Sequence, residues 1–160
     1  MKYISSLLLF LLVLASCNTK QEKLTLEKGI SYELAKYRKL QVADVVYNLD
    51  FNIPKEKENP IASRLEVNFT IKDLKNDVIL DFNEEASKLK SIKINREKSE
   101  INHQKEHVII DKTKLVLGAN SVEIFFDAGE KSLNRNEEFL YTLLVPDRAS
   151  TLFPCFDQPD

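Results

Sequence analysis

Hydrophobic and polar residues alternate with a period of two in the middle of the chain. In residues 47–53 and again in residues 65–71, every second side chain is apolar and the intervening ones are polar or charged. This alternation is typical of β-strands that bury one face. The polar residues 54–60 between the two segments are too few for a parallel crossover, so we predict an antiparallel pair.

Shorter apolar runs follow, separated by polar residues, and none of them has a sustained helical period. A short helix is predicted before the first strand, with Ser31 as its cap and Leu34, Ala35 and Tyr37 on its apolar side. We therefore predict an all-β domain, built as an antiparallel β-sandwich or as saddle-like sheets. The further strands are expected at residues 78–82, 92–94, 108–110, 115–117, 122–126 and 139–145.

The N-terminal residues have a different character, that of an export signal. Lys2 precedes an apolar stretch from Ile4 to Ala15. This stretch is shorter than the roughly 20 residues that span a bilayer. It ends in Leu14-Ala15-Ser16-Cys17, which resembles the lipobox of bacterial lipoproteins, where the cysteine thiol is acylated. An ordinary cleaved signal that leaves Cys17 free is the alternative.

The lipobox resemblance divides the chain into three parts. We expect residues 1–16 to be a lipoprotein signal peptide, residues 17–29 a polar tether and residues 30–160 the β domain. The protein would then be an exported bacterial membrane lipoprotein, held at the periplasmic face or the cell surface by lipid on Cys17. With that thiol acylated, Cys155 has no intramolecular partner, so the fold must rest on packing rather than on a disulfide.

Composition and charge agree with one globular domain. Hydrophobic residues make up 43% and charged residues 30% of the chain, which is ordinary for a folded protein. The formal net charge is -2, and the basic residues form no block long enough to bind a polyanion. We therefore expect no nucleic-acid partner.

The segment from His103 to His107 carries the strongest apparent catalytic motif. Its sequence, His-Gln-Lys-Glu-His, matches the His-x-x-Glu-His signature of inverted zinc peptidases. That chemistry needs both imidazoles on one helix face together with a third zinc ligand. The segment is polar, lies between predicted strands and has no apolar helical stripe. We predict a solvated turn without catalytic function, and a zinc peptidase built on these two histidines is the least favoured alternative.

Other candidate chemistry is weak. The carboxylate pairs Glu84-Glu85 and Glu137-Glu138 stand beside strand ends and are expected to be solvated turn residues. The three glycines form no phosphate-binding loop, and no nucleophilic serine or cysteine motif is recognisable. We therefore assign no catalytic residue, cofactor site or metal site to this chain.

The last twenty or so residues carry the most specific pattern. Phe139-Leu140-Tyr141 and Pro146 precede Phe153-Pro154-Cys155-Phe156-Asp157-Gln158-Pro159. This arrangement resembles the segment that closes the N-terminal domain in the aminopeptidase N family of zinc metallopeptidases, the gluzincins. The strand at residues 47–53 and the run at 117–126 agree with it, so that the resemblance covers roughly residues 30–160.

The resemblance implies a non-catalytic role within a larger enzyme. In this family the following domain binds zinc through His-Glu-x-x-His and the substrate amine through Gly-x-Met-Glu-Asn, and this chain contains neither motif. We therefore expect the N-terminal β domain of an exported zinc aminopeptidase, truncated before its catalytic domain. Its partners would be that domain and, through the parent enzyme, peptides. A free-standing lipoprotein binding module of the same fold is the alternative.

One departure from the family concerns the substrate. Many members place a Gln-x-Glu just before the proline that matches Pro146, and its side chains line the substrate subsite. This chain has Leu143 and Val145 in those positions. No substrate-contacting residue can therefore be carried over.

The closing motif has the composition of a domain junction. Its prolines, Pro154 and Pro159, restrict the backbone, and Asp157 can hold a turn through nearby amides. Phe153, Cys155 and Phe156 supply apolar surface, which we expect to be exposed when the following domain is missing. Cys155 is expected to act as a small buried hydrophobe rather than as a reactive thiol.

The lipobox resemblance predicts that Cys17 is acylated. Cys17→Ser should abolish incorporation of labelled fatty acid, because serine lacks the thiol that accepts the lipid. Metabolic labelling with a palmitate analogue measures this, with Cys155→Ser as the matched control that should still label. Labelling of the Cys17→Ser protein would show the assignment to be wrong.

Overall fold

The computed structural model describes residues 24–158, so the predicted signal peptide, Cys17 and Pro159 lie outside the described residues. Helix α1 spans Tyr32–Gln41. The strands are β1 (Val42–Asn52), β2 (Ala62–Ile71), β3 (Val78–Asp81), β4 (Leu89–Ile94), β5 (Glu97–Ser99), β6 (His103–Gln104), β7 (His107–Ile110), β8 (Gly118–Asp127), β9 (Leu133–Arg135) and β10 (Leu140–Thr142). The prediction of an all-β domain is confirmed.

Three antiparallel sheets organise the strands. The largest has the order β1-β2-β8-β4-β5, a second has the order β3-β7-β6, and β9 pairs with β10. The predicted hairpin of the first two strands is present as β1 against β2, with Leu49 opposite Leu65. An isolated bridge joins Asp81 at the end of β3 to Cys155, so the C-terminal segment lies beside the three-stranded sheet.

The core lies between the five-stranded and three-stranded sheets. Alternate residues of β2 and β8 are buried, as the period of two predicts for strands with one wet face. All four residues of β3 are buried. The cluster includes Leu65, Val67, Phe69, Val122, Ile124 and Phe126 from the large sheet and Val78, Leu80, Val108 and Ile110 from the small one.

The opposite face of the large sheet is polar. Arg64 of β2 donates to Glu123 of β8 at 3.0 Å, and Lys93 of β4 donates to the same carboxylate at 2.8 Å. The hydrogen bond from Lys93 and then the one from Arg64 lower the pKa of Glu123. Exposed pairs of this kind are worth about 1 kcal/mol or less, so this face contributes solubility more than stability.

Helix α1 begins as the sequence predicts. The Ser31 hydroxyl accepts a hydrogen bond from the backbone N–H of Leu34 at 3.1 Å, which satisfies one of the free donors of the first turn. Leu34 and Arg38, four residues apart, share the buried side of the helix. The helix ends where β1 begins, at Val42. Along residues 24–158, no helix is both long enough and apolar enough to cross a membrane.

Two tight hairpins were missed by the period-two analysis. Asn95 and Arg96 connect β4 to β5, and Lys105 and Glu106 connect β6 to β7. All four have positive φ, the conformation that a two-residue hairpin of the primed type requires. Neither pair contains glycine, and strands of two or three residues are too short to show a period. These hairpins therefore gave no clear sequence signal.

Two predicted strands were wrong in whole or in part. Residues 115–117 form no strand, because the side-chain amide of Asn120 bonds both the N–H and the C=O of Val116, at 2.9 and 2.7 Å. Those backbone groups are thus satisfied without a neighbouring strand. The strand predicted at residues 139–145 is paired only over Leu140–Thr142.

The core packing predicts a large difference between the two faces of the hairpin. Leu65→Ala should lower the free energy of unfolding by about 2–5 kcal/mol, because Leu65 is fully buried and its truncation leaves a cavity. Asn48→Ala, at an exposed position of β1, should change it by less than about 0.5 kcal/mol. Urea unfolding followed by circular dichroism measures both, and equal effects would contradict this account of the core.

Candidate functional site

A buried carboxylate at the end of β3 accepts four hydrogen bonds. Arg38 binds Asp81 through both terminal nitrogens, Nη1 to Oδ2 at 2.8 Å and Nη2 to Oδ1 at 2.6 Å. His107 Nδ1 donates to Oδ1 at 2.7 Å, and the backbone N–H of Asp157 donates to Oδ2 at 3.0 Å. We call Arg38, Asp81 and His107 the buried ion cluster.

All three side chains of the buried ion cluster are removed from solvent. Arg38 is 3% exposed, Asp81 4% and His107 1%. Burial alone would raise the pKa of Asp81, but the hydrogen bonds from His107 and Arg38 outweigh it, and the pKa lies below its ordinary value. The carboxylate is therefore held ionised as an acceptor for its four donors.

Three different elements position the cluster. Arg38 comes from α1, Asp81 ends β3, and His107 begins β7, where it is the antiparallel partner of Asp81. The sequence held a signal for Asp81, since it is a charged residue inside the apolar run Val78–Phe82. Arg38 follows the buried Leu34 by four residues, which places it on the same helix face. Sequence analysis assigned neither residue.

The closing motif docks onto this cluster. The backbone N–H of Asp81 donates to the carbonyl oxygen of Cys155 at 2.7 Å, and the reverse bond is 3.0 Å. The backbone N–H of Phe156 donates to the Tyr47 hydroxyl at 2.9 Å, and the Arg38 guanidinium lies 5.5 Å from the centre of the Phe156 ring. The motif is therefore held by backbone pairing with Asp81, by a hydrogen bond to Tyr47 and by a cation–π contact with Arg38.

The expectation that the aromatic residues and the cysteine of the motif form an exposed patch was wrong. Cys155 is 3% exposed, and Phe153 and Phe156 are half-buried against the core of this same chain. The two phenylalanines make edge-to-face contacts with Tyr47 and Phe69, respectively. They bury most of their apolar surface without any following domain. Burial also raises the pKa of the Cys155 thiol, which keeps it protonated and unreactive.

Asp157 acts as the expected turn residue in part. Its carboxylate accepts a hydrogen bond from the backbone N–H of Ser150 at 2.8 Å, seven residues earlier rather than two residues on. Pro154 is buried beside it. The motif thus folds back on the short 3₁₀ turn Ala149–Thr151.

The prediction of a solvated turn from His103 to His107 was wrong for both histidines. They lie on β6 and β7, and the turn between them consists of Lys105 and Glu106. His103 Nε2 donates to the carbonyl oxygen of Phe82 at 2.9 Å, and His107 is completely buried. His107 is therefore a structural residue, because it belongs to the buried ion cluster.

The strand geometry also argues against the inverted zinc peptidase. The motif lies on a hairpin rather than on a helix, and both ring nitrogens of His107 are engaged, by Asp81 and by the carbonyl oxygen of Glu27. Within residues 24–158, no three His, Cys, Asp or Glu side chains are grouped so as to hold a metal ion. Of the carboxylate pairs, Glu85, Glu137 and Glu138 are exposed and Glu84 is half-buried.

Five apolar side chains are exposed on β10 and in the residues that flank it. We call residues 139–145 the apolar hairpin. Its exposed fractions are 52% for Phe139, 37% for Leu140, 47% for Tyr141, 62% for Leu143 and 85% for Val145. Leu143 and Val145, which stand where the resembled family has Gln-x-Glu, are thus open to solvent. Clustered exposure of this kind marks a contact surface.

The fold resembles part of a known hydrolase. Native yeast LTA4 hydrolase matches with a TM-score of 0.59 and 19% identity over 74% of this chain. Yeast LTA4 hydrolase in complex with bestatin matches with a TM-score of 0.59 and 20% identity over the same share. The match covers 21% of the hydrolase chain in each case, so this chain corresponds to about a fifth of that enzyme. No protein-family model and no curated protein sequence matches the chain.

The buried ion cluster predicts a large cost for removing its carboxylate. Asp81→Asn should lower the free energy of unfolding by about 3–5 kcal/mol, because it leaves Arg38 buried without its counter-ion and removes the carboxylate that binds His107. Asp50→Asn, which removes the exposed partner of Arg64, should cost about 1 kcal/mol or less.

The lowered pKa of Asp81 also fixes the sign of the pH effect. The unfolded chain takes up a proton near its ordinary value of about 3.9, whereas the folded carboxylate stays ionised to lower pH. Its contribution is therefore present above that value and is lost as the pH falls through the folded-state pKa. Urea unfolding between neutral and acid pH should show a steeper loss for the wild type than for Asp81→Asn, and parallel curves would contradict the assignment.

Proposed function

We propose that this chain is the non-catalytic N-terminal β domain of an exported zinc aminopeptidase, anchored to a bacterial membrane by lipid on Cys17. The closing motif Phe153–Pro159 supports the family, and the fold likeness to a part of yeast LTA4 hydrolase supports the architecture. Both observations point to a β domain that makes up a minor share of a larger hydrolase.

The observation that carries the proposal is the fixed position of the closing motif. Asp81 makes two backbone hydrogen bonds with residue 155, its carboxylate accepts one from the N–H of residue 157, and the Tyr47 hydroxyl binds residue 156. The path of residues 155–157 is thereby set by the β domain. A rigid exit of this kind suits a domain that must place the next one accurately, since interdomain motion is otherwise the default.

The apolar hairpin supplies the second part of the argument. Its exposed side chains, Leu143 and Val145 above all, belong to the segment that in the resembled family leads to the substrate subsite. We infer that the hairpin contacts the catalytic domain and makes the adjacent subsite apolar. The peptide substrates would therefore be bound mainly by other parts of the enzyme.

The chemistry would belong to the catalytic domain. Zinc bound there would polarise the scissile carbonyl and activate a water molecule. The residues of this chain would hold the catalytic domain in place and shape one edge of its cleft. Asp81 and His107 take no part in the reaction, since all their hydrogen bonds are used within the β domain.

One observation favours a second candidate, a free-standing lipoprotein binding module. The closing motif packs on its own core, so that Cys155 and Pro154 are buried without help from another domain. A chain that buries its junction in this way could be stable alone. In that case the apolar hairpin would be the binding surface for a different partner.

Reconstitution with a separate catalytic half tests the proposal. The full chain in detergent micelles should not hydrolyse aminoacyl-naphthylamides with added zinc, because the metal and amine sites are missing. It should bind the catalytic half of an aminopeptidase N family enzyme from which the N-terminal domain has been removed. Isothermal titration calorimetry measures binding, and a naphthylamide assay measures turnover.

Two matched variants locate the contact. Leu143→Glu with Val145→Glu should weaken binding at least about tenfold, since charge is placed in the apolar hairpin; such a factor corresponds to about 1.4 kcal/mol. Val116→Glu with Leu117→Glu, equally exposed apolar residues elsewhere, should leave binding unchanged. Zinc-dependent turnover by the chain alone would refute the proposal, and absence of binding would favour the free-standing module.

A further inference from the structure

His107 contacts two hydrogen-bond acceptors and therefore needs two protons. Its Nδ1 lies 2.7 Å from Asp81 Oδ1, and its Nε2 lies 2.8 Å from the carbonyl oxygen of Glu27. A carbonyl oxygen can only accept a hydrogen bond, and the Asp81 carboxylate, which already receives donors from Arg38 and Asp157, is ionised. A neutral imidazole has a single N–H, so the lone pair on its other nitrogen would face one of the two acceptor oxygens.

The acceptor on the Nε2 side belongs to the N-terminal segment. Residues 24–30 precede α1, and three contacts hold them against the turn between β6 and β7. Besides the bond from His107 to Glu27, Lys105 Nζ donates to the carbonyl oxygen of Leu26 at 2.9 Å. The Lys28 ammonium lies 3.6 Å from the Glu106 carboxylate, but Lys28 is 76% exposed and this pair is weak. The bond from His107 is partly buried and is the least exposed of the three.

The charges around His107 come from every element packed near it. Asp81 of β3 and Arg38 of α1 complete the buried ion cluster, and a buried cation is tolerated only when it is paired. The other titratable groups near the cluster or along the open cavity beside it are Glu27, Lys28, Tyr32, Lys36, Lys39, Tyr47, Lys105, Glu106, Asp147, Cys155 and Asp157.

We propose that His107 is a proton-dependent latch, which as an imidazolium fastens residues 24–30 to the β domain and as a neutral imidazole releases them. The proton that leaves is the one on Nε2, because Nδ1–H is held by the carboxylate. Its loss removes the partly buried hydrogen bond to the carbonyl oxygen of Glu27 and sets two acceptors 2.8 Å apart. The N-terminal segment then detaches as the pH rises, while Arg38 and Asp81 keep the closing motif in place.

The chain offers a simple test, because it contains two histidines. Labelling the full chain in detergent micelles with ¹⁵N-histidine gives ring-nitrogen resonances from two residues, and His103→Gln assigns them. Both His107 nitrogens should be protonated at mildly acidic pH. One of them, Nε2, should lose its proton as the pH is raised.

Trypsin cleavage after Lys28 reports on the segment itself. The cleavage rate is divided by that of a free peptide with the sequence of residues 24–32, which removes the pH dependence of the protease. Above the ordinary histidine pKa of about 6.5, which applies to the detached segment, the normalised rate should rise about tenfold per pH unit, because detachment releases one proton. The rate should level off once the imidazolium is also deprotonated in the attached state. His103→Gln, whose histidine bonds Phe82 rather than the segment, should give the same curve.

Three outcomes would overturn the latch. The first is an unprotonated His107 nitrogen at a pH where the segment resists cleavage. The second is a cleavage rate that does not change through the His107 titration, and the third is a His107 that keeps both protons until the domain unfolds. His107→Gln should make the normalised rate high and independent of pH, and if that variant does not fold, the wild-type measurements alone decide.

Discussion

The binding of one buried carboxylate by Arg38 and His107 is the interaction on which the rest of this structure depends. Asp81 is desolvated at the end of β3, and a lone ionised carboxylate there would cost several kcal/mol. Arg38 and His107 both bind this carboxylate, and the backbone N–H of Asp157 donates a further hydrogen bond to it. Each partner comes from a different element, so a single charge fixes the helix, the small sheet and the C-terminal segment relative to one another.

This arrangement brings both ends of the described chain to one place. The C-terminal motif pairs with the backbone of Asp81, and the N-terminal segment reaches His107 through the carbonyl oxygen of Glu27. The core is centred on residues such as Leu65 and Ile124, and Phe153 and Phe156 of the closing motif pack against it. The buried ion cluster therefore joins the two end segments at one edge of this core.

Much of the fold could be predicted from the sequence, because long half-buried strands alternate apolar and polar residues with a period of two. This alternation predicted β1, β2 and β8, and Ser31 was correctly predicted as the N-cap of α1. The short hairpins β4–β5 and β6–β7 could not be predicted, because their turns have positive φ without containing glycine. Val116 was wrongly predicted to lie in a strand, because its backbone N–H is hydrogen-bonded by the side chain of Asn120 instead of by a neighbouring strand.

The site was harder to predict than the fold. The closing motif was recognised from the spacing of its residues. The resemblance did not show whether this domain or a following one buries Cys155, and the structure buries it against the core of this chain. His107 was predicted to be solvated because its hydrogen-bond partners, Asp81 and Glu27, are distant in sequence. A polar residue in an otherwise apolar strand signals burial with a partner, but it does not identify the partner.

The central claim is that the closing motif is an integral part of the β domain rather than an appendage awaiting the next domain. Native-state hydrogen exchange of the Cys155 amide, which donates to Asp81 at 3.0 Å, tests it most directly. The account predicts that this amide exchanges through the same global opening as that of Ile124 in β8, with an equal opening free energy and an equal denaturant dependence. Exchange of Cys155 through a separate opening, several kcal/mol lower and insensitive to denaturant, would contradict it.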